Sequence, residues 1–414
     1  MLKTPIRLLV TYTALALVLA SCGDVQLESN DAELPQAVAA AKTPASTSYA
    51  PQNRPDVRGR IGAVSAGHPL AAQAGLRVLQ RGGNATDAVI AMAGVLAVVR
   101  PHMNGIGGDA FGIFYHGETG EVAALNASGR AGALATPEFF AAAGLDRIPG
   151  TGPLSVSVPG AVAGWVDAHE RYGSMDFADL LATGIDYARN GFAVSTRLAQ
   201  DFEEQGANLN QAGRDLYLPN AAAPPVGSLL RNPALADSLQ LVATEGKEGF
   251  YQGGIAERLA AFITEQGGYL RPKDFANHTS TWVTPLRGNY LDHEFIVMPP
   301  NTQGDTQLAL FEMAKSHDLA QQGQNSADYL HTLIELKKLA FADRDRWVAD
   351  PELATVPVPQ LLDSDYLRQR ARAVDMAMAA TEVAPGFGEV VASCLLYTSP
   401  SPRDATLSRM PSSA

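Results

Sequence analysis

Metal and redox chemistry need clustered ligands, and this chain of 414 residues scatters them. None of its eight histidines stands in HxH or HExxH spacing. His169-Glu170 and His293-Glu294 each lack the second histidine one helical turn away that would complete a zinc site, so both read as surface or packing residues. Two cysteines, Cys22 and Cys394, make neither a zinc cluster nor a disulfide framework. Gly105, Gly107 and Ala110 fit the G-x-G-x-x-G/A dinucleotide pattern. That pattern works where a strand ends and a helix begins, because the helix N-terminus receives the pyrophosphate. Here it follows a predicted helix and opens a hairpin, which excludes a nicotinamide or flavin site. Asp109, directly after the glycines, reads as a group that caps backbone donors. His68 reads as a helix-start residue rather than a general base, and Asp343-Arg344 as an ion pair that holds a helix end.

The elements that must position such residues come from a turn-rich, apolar composition: 46% hydrophobic, 18% charged, with 38 glycines and 26 prolines. This is the composition of a folded globular protein with one large core or two smaller ones. A net charge of -12 repels phosphate and excludes nucleic-acid binding. A helix is predicted from Ala71 to Leu79, closed by Gly82-Gly83. Asn84 starts a second helix, Ala85 to Val99, with Asp87 near its positive end. Apolar on every side, that helix is expected to be buried all round. Phe111 to Tyr115 and Val122 to Asn126, around the polar turn His116 to Gly120, make an antiparallel hairpin. Further helices are predicted up to Tyr172 from a glycine-rich lead-in at Ser157 to Trp165, and over 175–190, 256–266, 307–315 and 327–345. A strand is predicted over 286–298 and a rigid turn over 298–304. No fixed-period repeat appears, so a solenoid is excluded.

At the start, Lys3 and Arg7 precede an apolar stretch from Leu8 to Ala20, too short to span a bilayer but of signal-peptide length. It ends in Leu19-Ala20-Ser21-Cys22, which resembles a bacterial lipobox. Residues 1–21 are read as a lipoprotein signal peptide and Cys22 as the lipid-modified first mature residue. The protein is then exported to the bacterial cell envelope and held by acyl chains on the periplasmic side. An ordinary signal peptide with Cys22 as a bystander is the competing reading. Residues 22–55, rich in Ala, Pro, Ser, Asn and Gln, form a flexible tether, and 56–392 form the body.

Within that body an ordered set of motifs resembles the γ-glutamyltransferase (γ-glutamyltranspeptidase, glutathione hydrolase) family. The set comprises Gly82-Gly83-Asn84-Ala85 with Asp87-Ala88, Gly105-Ile106-Gly107-Gly108 with Phe111, and Pro159-Gly160-Ala161-Val162-Ala163-Gly164. It continues with Tyr172-Gly173, Ala188-Arg189-Asn190-Gly191-Phe192, Phe250-Tyr251-Gln252-Gly253, Met298-Pro299-Pro300, Ala342-Asp343-Arg344 and Asp350-Pro351. Each motif alone is weak; their order is specific. The resemblance implies an α+β fold, the αββα sandwich of N-terminal-nucleophile hydrolases, incomplete here because the chain matches the large-subunit part. It implies a precursor that cleaves itself, exposing a small-subunit threonine as nucleophile with its own α-amino group as base. Backbone N–H groups would hold the oxyanion, and the γ-glutamyl group, usually from glutathione, would pass to water, an amino acid or a peptide. No metal or organic cofactor is implied. The implied partners are a small-molecule γ-glutamyl substrate, the chain's own small subunit and, through Cys22, a membrane.

Two stretches depart from the family pattern. Many members place an arginine three positions before an Ala-Pro pair, where a planar, bidentate cation clamps the substrate α-carboxylate. Here the run is Asn126-Ala127-Ser128-Gly129-Arg130-Ala131-Gly132: Ser128 takes the arginine's place and Arg130 lies two positions later. Substrate binding is therefore expected of Arg130 and Ser128, against the alternative of a surface arginine on a loop, and a related acylase on another amide stays open. The second departure follows Gly386, where a Thr-Thr-His-like run is expected. Instead the chain reads Ser393-Cys394-Leu395-Leu396-Tyr397-Thr398-Ser399-Pro400-Ser401-Pro402 and ends at Ala414. The Ser-Pro pairs cannot continue a central strand, and Thr398 lacks the motif's surroundings. Residues 393–414 read as a non-native tail, the nucleophilic threonine as absent, and the chain alone as inactive and poorly soluble. A non-enzymatic envelope lipoprotein that binds a ligand on this scaffold is the remaining reading.

Overall fold

The first two helices begin as their sequences dictate. In this computed structural model, which describes residues 58–387, α1 spans Pro69–Gln80 and α2 spans Ala85–Val99. The signal segment, Cys22, the tether and the tail from 393 lie outside the described residues. Pro69 opens α1, and His68 Nδ1 accepts the Leu70 N–H at 3.2 Å. Asn84 and Asp87 cap α2 reciprocally: Asn84 Oδ1 accepts the Asp87 N–H at 3.0 Å and Asp87 Oδ2 accepts the Asn84 N–H at 2.9 Å. The buried Asp87 carboxylate also accepts the Ser174 N–H and hydroxyl at 2.9 and 2.5 Å, tying the start of α2 to the chain just ahead of Phe177. The expectation that α2 is buried all round is corrected at Val89, which is 48% exposed. Val89 borders a cavity that lies along the hairpin.

That hairpin is β1 (Ala110–Tyr115) and β2 (Val122–Ala127), antiparallel with Ala110 opposite Ala127. The helices α3 (Pro137–Ala142), α4 (Ala161–Tyr172) and α5 (Phe177–Asn190) follow. Strand β3 (Phe192–Ala193) pairs with β4 (Leu229–Leu230), with α6 (Thr196–Gln205) and α7 (Gln211–Tyr217) between them. Next come α8 (Pro233–Tyr251), α9 (Gly254–Glu265) and α10 (Pro272–Ala276). Strand β5 (Thr281–Val283) then joins β2, giving a three-stranded sheet of order β1-β2-β5. Residues 286–298 were expected as one strand and are two: β6 (Leu286–Tyr290) and β7 (His293–Val297) form a hairpin. Leu291, at φ 50°, makes the reversal in a left-handed conformation unusual for leucine. The chain closes with α11 (Gly304–Ala314), α12 (Leu319–Gln322), α13 (Ala327–Trp347), α14 (Val358–Leu361) and α15 (Ser364–Ala371).

Two apolar clusters hold these elements. The larger joins α1, α2, α4, α5, α8 and α9 through side chains such as Ile90, Val162, Leu181, Leu239 and Phe250. Each such large side chain contributes roughly 1.5–3 kcal/mol by leaving water. The smaller joins α11, α13 and α15 through Met313, Leu336 and Leu367. At the hairpin, Phe114, Tyr172 and Trp282 contact one another with ring centroids 5.3 to 5.7 Å apart. The Arg171 guanidinium lies 4.2 Å from the Trp282 ring centroid. No helix among the described residues is long and apolar enough to cross a membrane.

Candidate functional site

Three loops cross where β2 ends. The first is the glycine run ahead of β1, the second is Asn126 to Arg130, and the third is the lead-in to α4 at Ser157 to Gly160. Gly108 O accepts the Gly160 and Ala161 N–H groups at 3.0 and 2.8 Å, and Arg130 O accepts the Val158 N–H at 2.9 Å. Asp109 Oδ1 accepts the Gly129 N–H at 2.7 Å, which is the backbone-capping role expected of it. The crossing leaves no room for side chains at two glycines. A Cβ on Gly129 would lie 2.2 Å from Val158 O, and one on Gly160 would lie 2.2 Å from Ala127 O.

Ser128 sits inside a closed ring of polar side chains. Asn126 Nδ2 donates to Asn301 Oδ1 at 2.8 Å, Asn301 Nδ2 donates to Ser128 Oγ at 2.9 Å, and the Ser128 N–H donates to Asn126 Oδ1 at 3.0 Å. Asn301 comes from the predicted turn at 298–304, so that turn buttresses the loop at Asn126 and Ser128 while Asp109 holds it at Gly129. Arg130 then projects from a loop held by Asp109, Asn301 and Val158. Its guanidinium makes a two-point contact with Glu352, Nη1 to Oε2 at 2.6 Å and Nη2 to Oε1 at 3.1 Å. The Arg130 pair holds the Glu352 carboxyl below its usual range, while Glu352 raises the arginine further. Such a fork, with its side chain 37% exposed, can bind a ligand carboxylate.

Beneath these loops, the Tyr251 hydroxyl donates to Pro159 O at 2.7 Å and accepts the Ala163 N–H at 3.0 Å. Burial raises the Tyr251 pKa well above that of a free phenol, so it stays neutral and can serve both bonds. His278 stacks on Tyr251 with centroids 5.2 Å apart. Burial first, and the nearby Arg130 charge second, lower the His278 pKa to about 4, with Asp167 opposing. Asp167 itself accepts Lys247 Nζ at 2.5 Å and the Ser280 hydroxyl. Behind the glycine run lies a cavity of about 660 Å³, lined by His102, Asn104, Asp109, Phe111 and Trp165 among others; Arg130 and Ser128 do not line it. Among the described residues, no group of three or more His, Cys, Asp or Glu could hold a metal.

The sequence expectation for Asp343-Arg344 is corrected. Asp343 and Arg344 do not pair with each other: Asp343 pairs with Arg370 of α15, Nη2 to Oδ1 at 2.9 Å, and Arg344 pairs with the neighbouring Asp345 at 2.6 Å. Glu352, Asn301, Tyr251 and His278 were not singled out from sequence. Tyr251 and the neighbourhood of Asn301 lie within motifs that had been recognised, which was the available signal.

The architecture is that of the N-terminal-nucleophile hydrolases. Its structure resembles the crystal structure of the gamma-glutamyltranspeptidase of Helicobacter pylori, with a TM-score of 0.76 and 28% identity over 81% of this chain and 99% of that one. The family model for gamma-glutamyltranspeptidase matches residues 71–401. The chain is 36% identical over 321 residues to the glutathione hydrolase-like YwrD proenzyme of Bacillus subtilis (strain 168), covering 77% of this chain and 61% of that protein. It is 37% identical over 327 residues to the oxamate amidohydrolase proenzyme of Klebsiella pneumoniae, again 77% and 61%. The chain thus belongs to the gamma-glutamyltranspeptidase family and spans about three fifths of the length of these curated relatives.

Proposed function

We propose that this chain is the substrate-holding part of a γ-glutamyl hydrolase/transferase that acts on glutathione or a related γ-glutamyl amide. The observation that carries this reading is the Arg130 fork, presented on a loop fixed by Asp109, Asn301 and Val158. In the proposed reaction, Arg130 holds the donor carboxylate and Ser128, fixed by Asn301, shapes the wall beside it. An N-terminal threonine, supplied by a small subunit of the same precursor, attacks the γ-amide and passes the acyl group to water or an amine. The relatives' description as proenzymes supports a precursor.

A second reading, an acylase on another carboxylate-bearing amide, is favoured by Ser128 standing where the family arginine is expected. The likeness to an oxamate amidohydrolase also supports it. Both substrates carry a carboxylate, bonded to the reacting amide carbonyl in oxamate and three carbons from it in a γ-glutamyl group, so both readings use Arg130 as the partner of an anion while placing the reacting carbonyl at different distances from it. The full-length gene product, assayed on a γ-glutamyl anilide and on oxamate, separates them. Arg130→Lys keeps the charge but loses the fork, and KM for the preferred donor is expected to rise about 10- to 100-fold with kcat largely kept. An unchanged KM would remove Arg130 from the binding site.

A further inference from the structure

We propose that Glu352 is a specificity-determining residue: an internal carboxylate that occupies the Arg130 fork until a substrate carboxylate displaces it. The proposal rests on the reading of Arg130 as the substrate clamp. Its basis is the two-point contact, Nη1 to Oε2 at 2.6 Å and Nη2 to Oε1 at 3.1 Å. A guanidinium takes a ligand carboxylate through the same pair of donors, so the two anions compete for one fork.

The two partners are held very differently. Arg130 stands on an anchored loop: its own carbonyl accepts Val158 N–H, and the Gly129 N–H before it is bound by Asp109. Glu352 arrives from a remote segment, 222 residues away, in the turn that follows α13. There Asp350 Oδ1 accepts the Glu352 N–H at 2.9 Å, and Asp350 O accepts the Leu353 and Ala354 N–H groups at 3.0 and 2.9 Å. This fixes the backbone at 352, but the Glu352 side chain is 55% exposed and can swing into water. An exposed ion pair contributes little to stability, so releasing it is cheap. Asp350 adds a second negative charge that acts on Arg130. An incoming carboxylate must therefore displace one anion in the field of another, whereas an uncharged amide meets neither obstacle. Glu352 tunes how strongly the site discriminates in favour of charged donors.

The test is steady-state kinetics of the full-length enzyme with a γ-glutamyl anilide, and inhibition by its analogue in which a carboxamide replaces the α-carboxylate. In Glu352→Gln, KM for the carboxylate donor is expected to fall about three- to tenfold with kcat kept, while Ki for the neutral analogue is unchanged. Glu352→Asp, charged but one methylene short, should fall between the two. A KM for the carboxylate donor that stays the same or rises in Glu352→Gln overturns the proposal, as does an equal change for both compounds. Arg130→Gln separates the role of the clamp from that of Glu352. If it leaves KM for the carboxylate donor unaltered, the clamp reading itself fails. If KM rises in Arg130→Gln and does not respond to Glu352→Gln, only the role of Glu352 is lost.

Discussion

At the scale of single residues, the crossing loops make the sharpest demands. Gly160→Ala would place a methyl 2.2 Å from Ala127 O, a backbone atom that cannot rotate away. The expected cost is about 1–3 kcal/mol or more, with weaker substrate binding because the Arg130 loop must shift. Gly107→Ala is the control: it meets nothing within 4 Å and should stay within about 0.5 kcal/mol of wild type. Thermal melts of the two variants decide this, and equal melting points would argue against the crossing. His278 supplies a pH dependence. It is 7% exposed, and neither ring nitrogen has a hydrogen-bond partner among the described residues. Its pKa falls from 6.5 to about 4 in the folded protein, so the unfolded chain binds the proton first. Stability is full above 6.5 and is lost as pH drops toward about 4, by at most about 3 kcal/mol. Asp305, raised to about 6 by burial, acts in the opposite sense, its penalty growing as pH climbs from 3.8. His278→Phe keeps the stack on Tyr251 and should flatten the acid side of the stability profile; parallel profiles would clear His278 of that role. Asp109 was legible as a backbone cap because it directly follows the glycine run, and Arg130 drew attention as a departure from a local motif. Glu352 and Asn301 were not, since their partners lie 222 and 173 residues away and no local pattern encodes such pairing.

Among the elements, helix ends were the most legible. The Asn84–Asp87 box marks the start of α2 in four residues, and α2 begins at the expected Ala85. The β6–β7 hairpin was missed because its reversal lies at Leu291-Asp292, without the glycine or asparagine that usually signals a two-residue turn. Helix α8 was missed where Gly246, at φ 62°, interrupts its pattern. The last described segment shows how one buried group can organise several elements. Asp343 on α13 accepts Arg370 Nη2 and Tyr366 Oη from α15 at 2.9 and 2.6 Å, and the Gly386 N–H at 2.7 Å. Lys338 Nζ donates to Ala380 O at 2.7 Å, and Phe387 stacks on Tyr366 at 4.2 Å. Residues 380–387 are thereby strapped across α13 and α15. Asp343→Asn leaves Arg370 largely buried without its counter-charge and is expected to cost on the order of 3 kcal/mol. Limited proteolysis should then cut within 380–387 well before the main core opens. Unaltered cleavage kinetics would show that the strap is held by other contacts.

For the molecule as a whole, the order of the motifs was enough to reach the family and its fold class. The arrangement of sheets was not legible, because β5 is only three residues long and finds its place by docking on β2. The outer face of β1 carries Phe111, Ile113 and Tyr115, exposed by 37, 44 and 70%. Among the described residues β1 pairs only with β2, so an apolar strand also presents an open edge. This chain produced alone is accordingly expected to bind a hydrophobic dye and to self-associate, and both effects should vanish in the full-length product. A monomer with a sharp, cooperative melt and no dye binding would contradict that expectation. The Arg171–Trp282 stack has a practical consequence here. Of the three tryptophans, Trp165 and Trp347 are buried, while Trp282 lies partly exposed against Phe114 of that same strand. Its indole, under a cationic cap, is a built-in optical probe. With the other two replaced by phenylalanine, the wavelength and quenching of its emission would report in real time when anything settles on the hairpin.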